Sequence, residues 1–443
     1  MRIFRRIFFL SIFLILFSNC SFDNKTGIWD NIDTSITKKD EFKDFVTLSS
    51  EEPSFNKVVY PKKNLKITLD SKNQNSKWFE EFYQGTNNLG NFDYKDRNTL
   101  ILKSKKLIGN KANNQIFFDG KNIIATNEKG NIIVYSLELQ EIIFEFNFYE
   151  KKFKKIKKKI HIIIEKNIVY VSDNLGYLYA INLISKKLLW AKNYKTPFRS
   201  NIKILKDKII ISDINNLLYF INKADGESLK VIPTEESTVK NQFISSIAIK
   251  DENAYFLNTY GTLYSINYNE KINWFFNLNQ SLDSRPSNIF YSKSLVIHNN
   301  KIVIFTEPNL YIINLNSGST SFKSSISSIL NPIISGQNIF FVTNDGLLVC
   351  MNIENGEIHY SVDINSEIAR YLDTKEKIVN IKSLSILNNN IFLFLNNSYV
   401  VKFDLKAEIK DIYKLPIKID SAPIFANGSI FYLNKNNKLI ILN

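Results

Sequence analysis

Asn174-Leu175-Gly176-Tyr177-Leu178-Tyr179-Ala180-Ile181-Asn182 decides how this chain folds, because its pattern recurs along the sequence. A turn residue and Gly open it, apolar and aromatic residues follow, and Asn closes it. Tyr260-Gly261-Thr262-Leu263-Tyr264-Ser265-Ile266-Asn267 repeats the pattern, as do Asn216-Leu217-Leu218-Tyr219-Phe220-Ile221-Asn222 and Gly346-Leu347-Leu348-Val349-Cys350-Met351-Asn352. Weaker copies begin at Gly130, Pro308, Ser398 and Asn437. The eight copies stand 38 to 52 residues apart, the spacing of propeller blades that are each a four-stranded sheet. An open β-solenoid also repeats, but with a shorter period and no need of a closing strand.

A β-rich run such as 167–172 or 390–395 precedes each copy, joined to it by a short turn that often holds Gly, Asn or Asp, as hairpins require. Seven of the eight copies end on Asn or Asp, and several then turn through stretches such as Ala224-Asp225-Gly226-Glu227. Both faces of these strands are apolar, which suits blades sandwiched between neighbours. The expected fold is therefore all-β, an eight-bladed β-propeller. The last copy ends at Asn443, so the last blade lacks an outermost strand. Residues 65–82, with Trp78, are expected to supply it and so remove an exposed edge.

Composition narrows the chemistry. With 44% hydrophobic and 23% charged residues the 443-residue chain is not disordered, and 34 Phe with 21 Tyr favour strands. Cys20 and Cys350 exclude a disulfide scaffold or a thiolate zinc cluster, and His161, His298 and His359 leave little for a histidine metal site. Cys350, alone in an apolar strand, reads as a small core hydrophobe. There is no Gly-rich phosphate loop or nucleophile elbow. No catalytic residue, metal or cofactor is expected. The net charge is +14, with the densest basic run at 151–159. That run reads either as a solvated strand and connection or as a contact for an acidic partner or lipid headgroups.

The N-terminus directs the chain out of the cytoplasm, which argues against nucleic acid as a partner. Arg2, Arg5 and Arg6 precede an apolar stretch at 7–17. That stretch is too short for a bilayer, which needs about 20 residues, but it suits a signal peptide. Phe17-Ser18-Asn19-Cys20 then resembles a bacterial lipoprotein cleavage site, although Phe17 and Asn19 replace the usual Leu and small residue. The resemblance implies that Cys20 is acylated, and Ser21 resembles an outer-membrane sorting signal. An ordinary signal peptide with an incidental cysteine is the other reading. The expected organisation is a signal peptide at 1–19, a lipidated polar tether at 20–60 with one short helix near 39–48, and the propeller at 61–443.

Leu178-Tyr179-Ala180-Ile181-Asn182 followed by Leu188-Leu189-Trp190 resembles the repeat of PQQ-type propellers, and so does Leu263-Tyr264-Ser265-Ile266-Asn267 followed by Trp274. Elsewhere the outer-strand Trp of that repeat is missing. Eight such blades behind a lipoprotein signal resemble the BamB family, the propeller lipoproteins of the outer-membrane β-barrel assembly machinery. Trp78 with Gln84-Gly85-Thr86-Asn87-Asn88 is similar to that family's N-terminal segment. The resemblance implies a non-catalytic scaffold, lipid-anchored in the outer membrane and facing the periplasm. It would bind the POTRA domains of the BamA-like barrel subunit and assist insertion of unfolded outer-membrane proteins. The resemblance also implies a partner-binding loop at Thr196-Pro197-Phe198-Arg199-Ser200-Asn201, with Phe198 and Arg199 as its apolar and cationic positions. The family's second contact loop is acidic, whereas Asn241-Gln242-Phe243-Ile244-Ser245-Ser246 carries no acid. A PQQ-type sensor or quinoprotein dehydrogenase shares the repeat, but the dehydrogenases use a pair of adjacent cysteines that Cys20 and Cys350 cannot form.

Overall fold

The Asn or Asp that closes each repeat makes the next turn. Asn182 Oδ1 accepts the N–H groups of Ile184 and Ser185 at 2.9 Å. Asn222, Asn267, Asn314, Asn352 and Asp404 likewise take the N–H two residues on, and Ser136 Oγ takes that of Leu139. Such side chains mimic a backbone turn, so the chain reverses and the following strand pairs antiparallel with the repeat. A second set (Asn127, Asp173, Asp213, Asn258 and Asn434) caps the preceding turn by accepting N–H groups two and four residues on.

The computed structural model describes residues 54–443 except 110, 150–152, 154, 237–242 and 280–289, together with the backbone of a hairpin pairing Cys20–Phe22 with Trp29–Asn31. The expected signal peptide, the expected helix near 39–48, most of the expected tether and part of the basic run lie outside the described residues. The chain divides into two units, Met1–Glu52 and Pro53–Asn443.

Within the larger unit eight antiparallel sheets form the blades. Seven take four consecutive strands each, spanning 112–147, 160–193, 203–232, 246–277, 296–324, 333–363 and 381–414. The eighth combines 424–442 with Leu100–Lys106, which pairs antiparallel with Lys438–Leu442. An N-terminal strand thus closes the ring, but it is not the expected stretch 65–82. The chain passes from the outer edge of the eighth blade straight into the inner strand Ala112–Phe118 of the first, so the closing strand has to sit immediately upstream of that strand.

Alternation along each strand feeds two neighbours at once. In Lys208–Ser212, Ile209 and Ile211 pack toward the second blade, while Ile210 packs toward the fourth. In blades 1 to 7 the third and fourth strands slip register by a bulge at one equivalent point. The fourth-strand residue there is Phe144, Trp190, Trp274, Phe322 or Tyr360 in five blades, and Lys230 or Asp411 in blades 3 and 7. The longest repeat spacing holds the helix Ile364–Leu372, started by Asp363, which accepts from the N–H groups of Asn365 and Ser366.

Candidate functional site

Eight inner strands leave eight inward edges whose backbone groups need partners. The segment 73–95 supplies them in order around the ring. Trp78 pairs with Phe118 in blade 1, the Phe79 carbonyl accepts from Ile164 N in blade 2, and Lys203 Nζ of blade 3 donates to the Gln84 carbonyl at 3.2 Å. The Gly85 carbonyl takes Ile249 N of blade 4 at 2.7 Å, and that of Thr86 takes Ile297 N of blade 5 at 2.9 Å. Asn88 exchanges bonds of 2.8 and 3.0 Å with the carbonyl and N–H of Ile334 in blade 6. Asn91–Phe92 adds parallel to Ile381–Leu387 of blade 7, and Lys95 N donates to the Gly428 carbonyl of blade 8. Asn73 then joins Asn91 and Asp93, so the turn closes on itself. Trp78, Asn87, Asn88, Asn91, Phe92 and Tyr94 are all buried. The inward edges of blades 1, 2 and 4 to 8 are therefore met by the chain's own segment 73–95, which reaches blade 3 through the Lys203 side chain.

Charge holds this girdle in place. Lys203, 1% exposed, pairs with Glu80, and His161 Nδ1 meets Glu81 at 3.4 Å. Burial alone would raise the Glu81 carboxyl, but His161, Gln115 and Lys203 leave it below the ordinary value. His298 Nε2 donates to the Gly336 carbonyl at 3.0 Å, leaving Nδ1 to accept from Asn88 at 3.4 Å. Sequence reasoning set residues 65–82, which overlap the start of this segment, in the eighth blade's outer edge. The signal that could have placed it correctly is an Asn- and Gly-rich stretch with no alternation, unsuited to an outer strand.

Phe198 and Arg199 do not offer the surface expected of partner-contact residues. Phe198, 3% exposed, packs with Ile163, Tyr170 and Ile209 between the second and third blades, edge-on to Tyr194 and Tyr219. Arg199 N donates to the Ser212 carbonyl, and its own carbonyl accepts from Ser245 N. The guanidinium reaches Thr259 Oγ1 at 2.6 Å and Asn216 Oδ1 at 3.3 Å. Burial pushes that guanidinium down from its ordinary value, and Asp213 opposes the shift. Arg199 thus braces blades 3 and 4 from within, because the linker that carries it runs beneath their turns. Asn241 and Gln242 of the expected second loop lie outside the described residues.

Cys350 is buried, and burial raises its thiol well above the ordinary value. Among the described residues no group of His, Cys, Asp or Glu is placed to hold a metal, and no helix is long and apolar enough to cross a membrane. Cys20 lies in a backbone hairpin whose side chains are not described. The outer strands expose Leu188 and Leu189 in blade 2, Leu229 and Val231 in blade 3, and Ile272 and Phe275 in blade 4.

The two surviving outer-strand tryptophans show what this repeat requires. Trp190 lies over Gly226 of the next blade and donates to the Lys223 carbonyl at 3.1 Å; Trp274 lies over Gly318 and donates to that of Leu315 at 3.2 Å. Phe322 covers Gly356 in the same way. A Cβ on Gly226 would meet the Trp190 ring at 2.6 Å, and φ is +74° there, so only glycine suits that turn.

Residues 150–362 match the family model described as outer membrane protein assembly factor BamB. No curated protein matches the chain. BamB from Moraxella catarrhalis superposes with a TM-score of 0.61 at 12% identity, over 78% of this chain and 99% of that one. The C-terminal WD40 domain of Sif2 gives 0.54 at 13% identity over 78% and 97%, and the computationally designed Ika8 protein 0.52 at 10% over 76% and 99%. At such identities these likenesses establish the fold alone, and the family model matches only the segment 150–362. The chain is a BamB-like eight-bladed β-propeller of PQQ-like repeats.

Proposed function

We propose that the chain is a non-catalytic scaffold of outer-membrane β-barrel assembly. It binds the POTRA domains of a BamA-like subunit and helps deliver unfolded outer-membrane proteins for insertion. One observation carries the reading: the family match over 150–362 falls on a ring whose inward side is lined by its own residues 73–95. The working surface is then the rim and the outer edges, where Leu229, Val231 and Phe275 are exposed. Open strand edges of that kind accept extended segments by main-chain pairing.

Cys20 carries the lipid anchor in this reading, and the propeller faces the periplasm. Phe198 and Arg199 serve the partner indirectly, fixing the rim around Asn216 and Thr259 rather than touching the POTRA domain through their own side chains. Affinity purification from solubilised envelope tests the scaffold: the barrel subunit co-purifies if the reading holds, and its absence refutes it. Cys20→Ala tests the anchor, since unchanged membrane fractionation would eliminate it.

A further inference from the structure

In the sixth blade the outer edge is taken by the chain itself. Val59 and Ser361, in the strand Ile358–Asp363, exchange backbone hydrogen bonds of 2.8 Å in both directions. Ser361 Oγ also accepts from Val59 N at 3.0 Å and donates to the Lys57 carbonyl. Four residues upstream Phe55 N donates to the Ser325 carbonyl, and its ring packs on the core between blades 5 and 6. Phe55 and Val59 are half-buried, while Lys57, Val58 and Tyr60 are exposed. This is strand addition in miniature, with the two anchors on one face of an extended segment.

The cover is light, whereas the chain just beyond it is firmly held. Lys62 pairs with Glu357 at 3.1 Å, and Leu65, Ile67 and Leu69 pack on the core of blades 6 and 7. The Asp70 carboxylate accepts from Gly336 N at 2.9 Å, and Asp70 N donates to Ser335 Oγ at 2.9 Å. Residues 55–60 can therefore leave without loosening the girdle, since locally weak units open on their own.

We propose that the outer edge of Ile358–Asp363 is a strand-acceptor site that residues 55–60 cover in cis. An extended segment of an unfolded protein, with apolar residues four apart as at Phe55 and Val59, displaces this cover. Its carbonyl and N–H replace those of Val59 opposite Ser361. The helix Ile364–Leu372 follows directly from the same strand and exposes Tyr371 and Leu372, extending the apolar track. The inference rests on the proposed reading of the chain as a handler of unfolded β-segments.

The test uses the full chain in detergent micelles and a fluorescein-labelled peptide of residues 53–62, with its scrambled sequence as control. Val59→Pro removes the N–H that pairs with Ser361 and opens the edge. It should bind the peptide about tenfold more tightly than wild type, because an occupied site taxes apparent affinity. Val59→Cys combined with Ser361→Cys should bind nothing when oxidised and recover on reduction, a comparison made within one folded molecule. Hydrogen exchange should show protection by the peptide at 358–363. The site is overturned by equal affinity in the open and locked forms, or by protection elsewhere. Co-purification of the barrel subunit is scored separately, so the acceptor site and the scaffold reading fail independently.

Discussion

Trp78 and Phe118 exchange both backbone hydrogen bonds, Trp78 N to the Phe118 carbonyl at 2.7 Å and the reverse at 2.9 Å. That pair ties the start of the inner girdle to the inner strand of the first blade. Trp78 is also 3% exposed and lies 5.1 Å from the ring of Tyr83, 5.6 Å from that of Phe92 and 6.3 Å from that of Phe425. One residue thus joins blades 1, 7 and 8.

Trp78→Ala should cost about 3–5 kcal/mol, the range for truncating a large buried aromatic. Urea unfolding measures it as a lower midpoint. A loss under about 1 kcal/mol would mean that the girdle is not part of the cooperative core.

Glu80→Gln should be comparably severe. It leaves the ammonium of Lys203, 1% exposed, without its carboxylate, and breaking one side of a buried pair costs about 3–5 kcal/mol. Replacing both with Met should recover much of the loss, since an apolar pair leaves no unpaired charge. A double variant as unstable as Glu80→Gln would contradict this account.

Arg199→Met should destabilise by about 1–3 kcal/mol, because it strips hydrogen bonds from buried Thr259 and Asn216. A purely exposed contact residue would shift stability by less than about 0.5 kcal/mol. If Arg199→Met melts like wild type yet loses the barrel subunit, direct contact by the guanidinium replaces the bracing role.

Acidification should weaken the fold through His298. Burial holds its imidazole below the ordinary value of 6.5; Asp70 and the Gly336 carbonyl oppose that shift, and Lys250 adds to it. A base with a depressed folded pKa binds fewer protons folded than unfolded. Its contribution is therefore present above about 6.5 and is lost as pH falls through the folded value. Protonation would also place an N–H at Nδ1 against the Asn88 amide. Urea midpoints from pH 7.5 to 5.5 should fall less steeply in His298→Gln than in wild type, and parallel curves would remove His298 from the account.

The blades were legible along the chain. Eight repeats, a turn-forming Asn or Asp after most of them, and apolar residues on both strand faces are local features, so the chain displays them in order. The match of Trp190 to Gly226 and of Trp274 to Gly318 was half legible: the tryptophans stand out, but their glycines belong to the next blade. The course of residues 54–99 depends instead on contacts made once the ring has formed. Residues 65–82, with Trp78, were assigned to an outer edge, whereas the ring closes with Leu100–Lys106 and the segment around Trp78 lines the inside. Its partners are backbone groups on strands as distant as Ile334 and Leu387, and backbone edges leave no trace in side-chain patterns. The burial of Arg199 was not legible for the same reason. Its burial depends on Asn216 and Thr259 coming together when blades 3 and 4 pack side by side, which no spacing along the chain encodes.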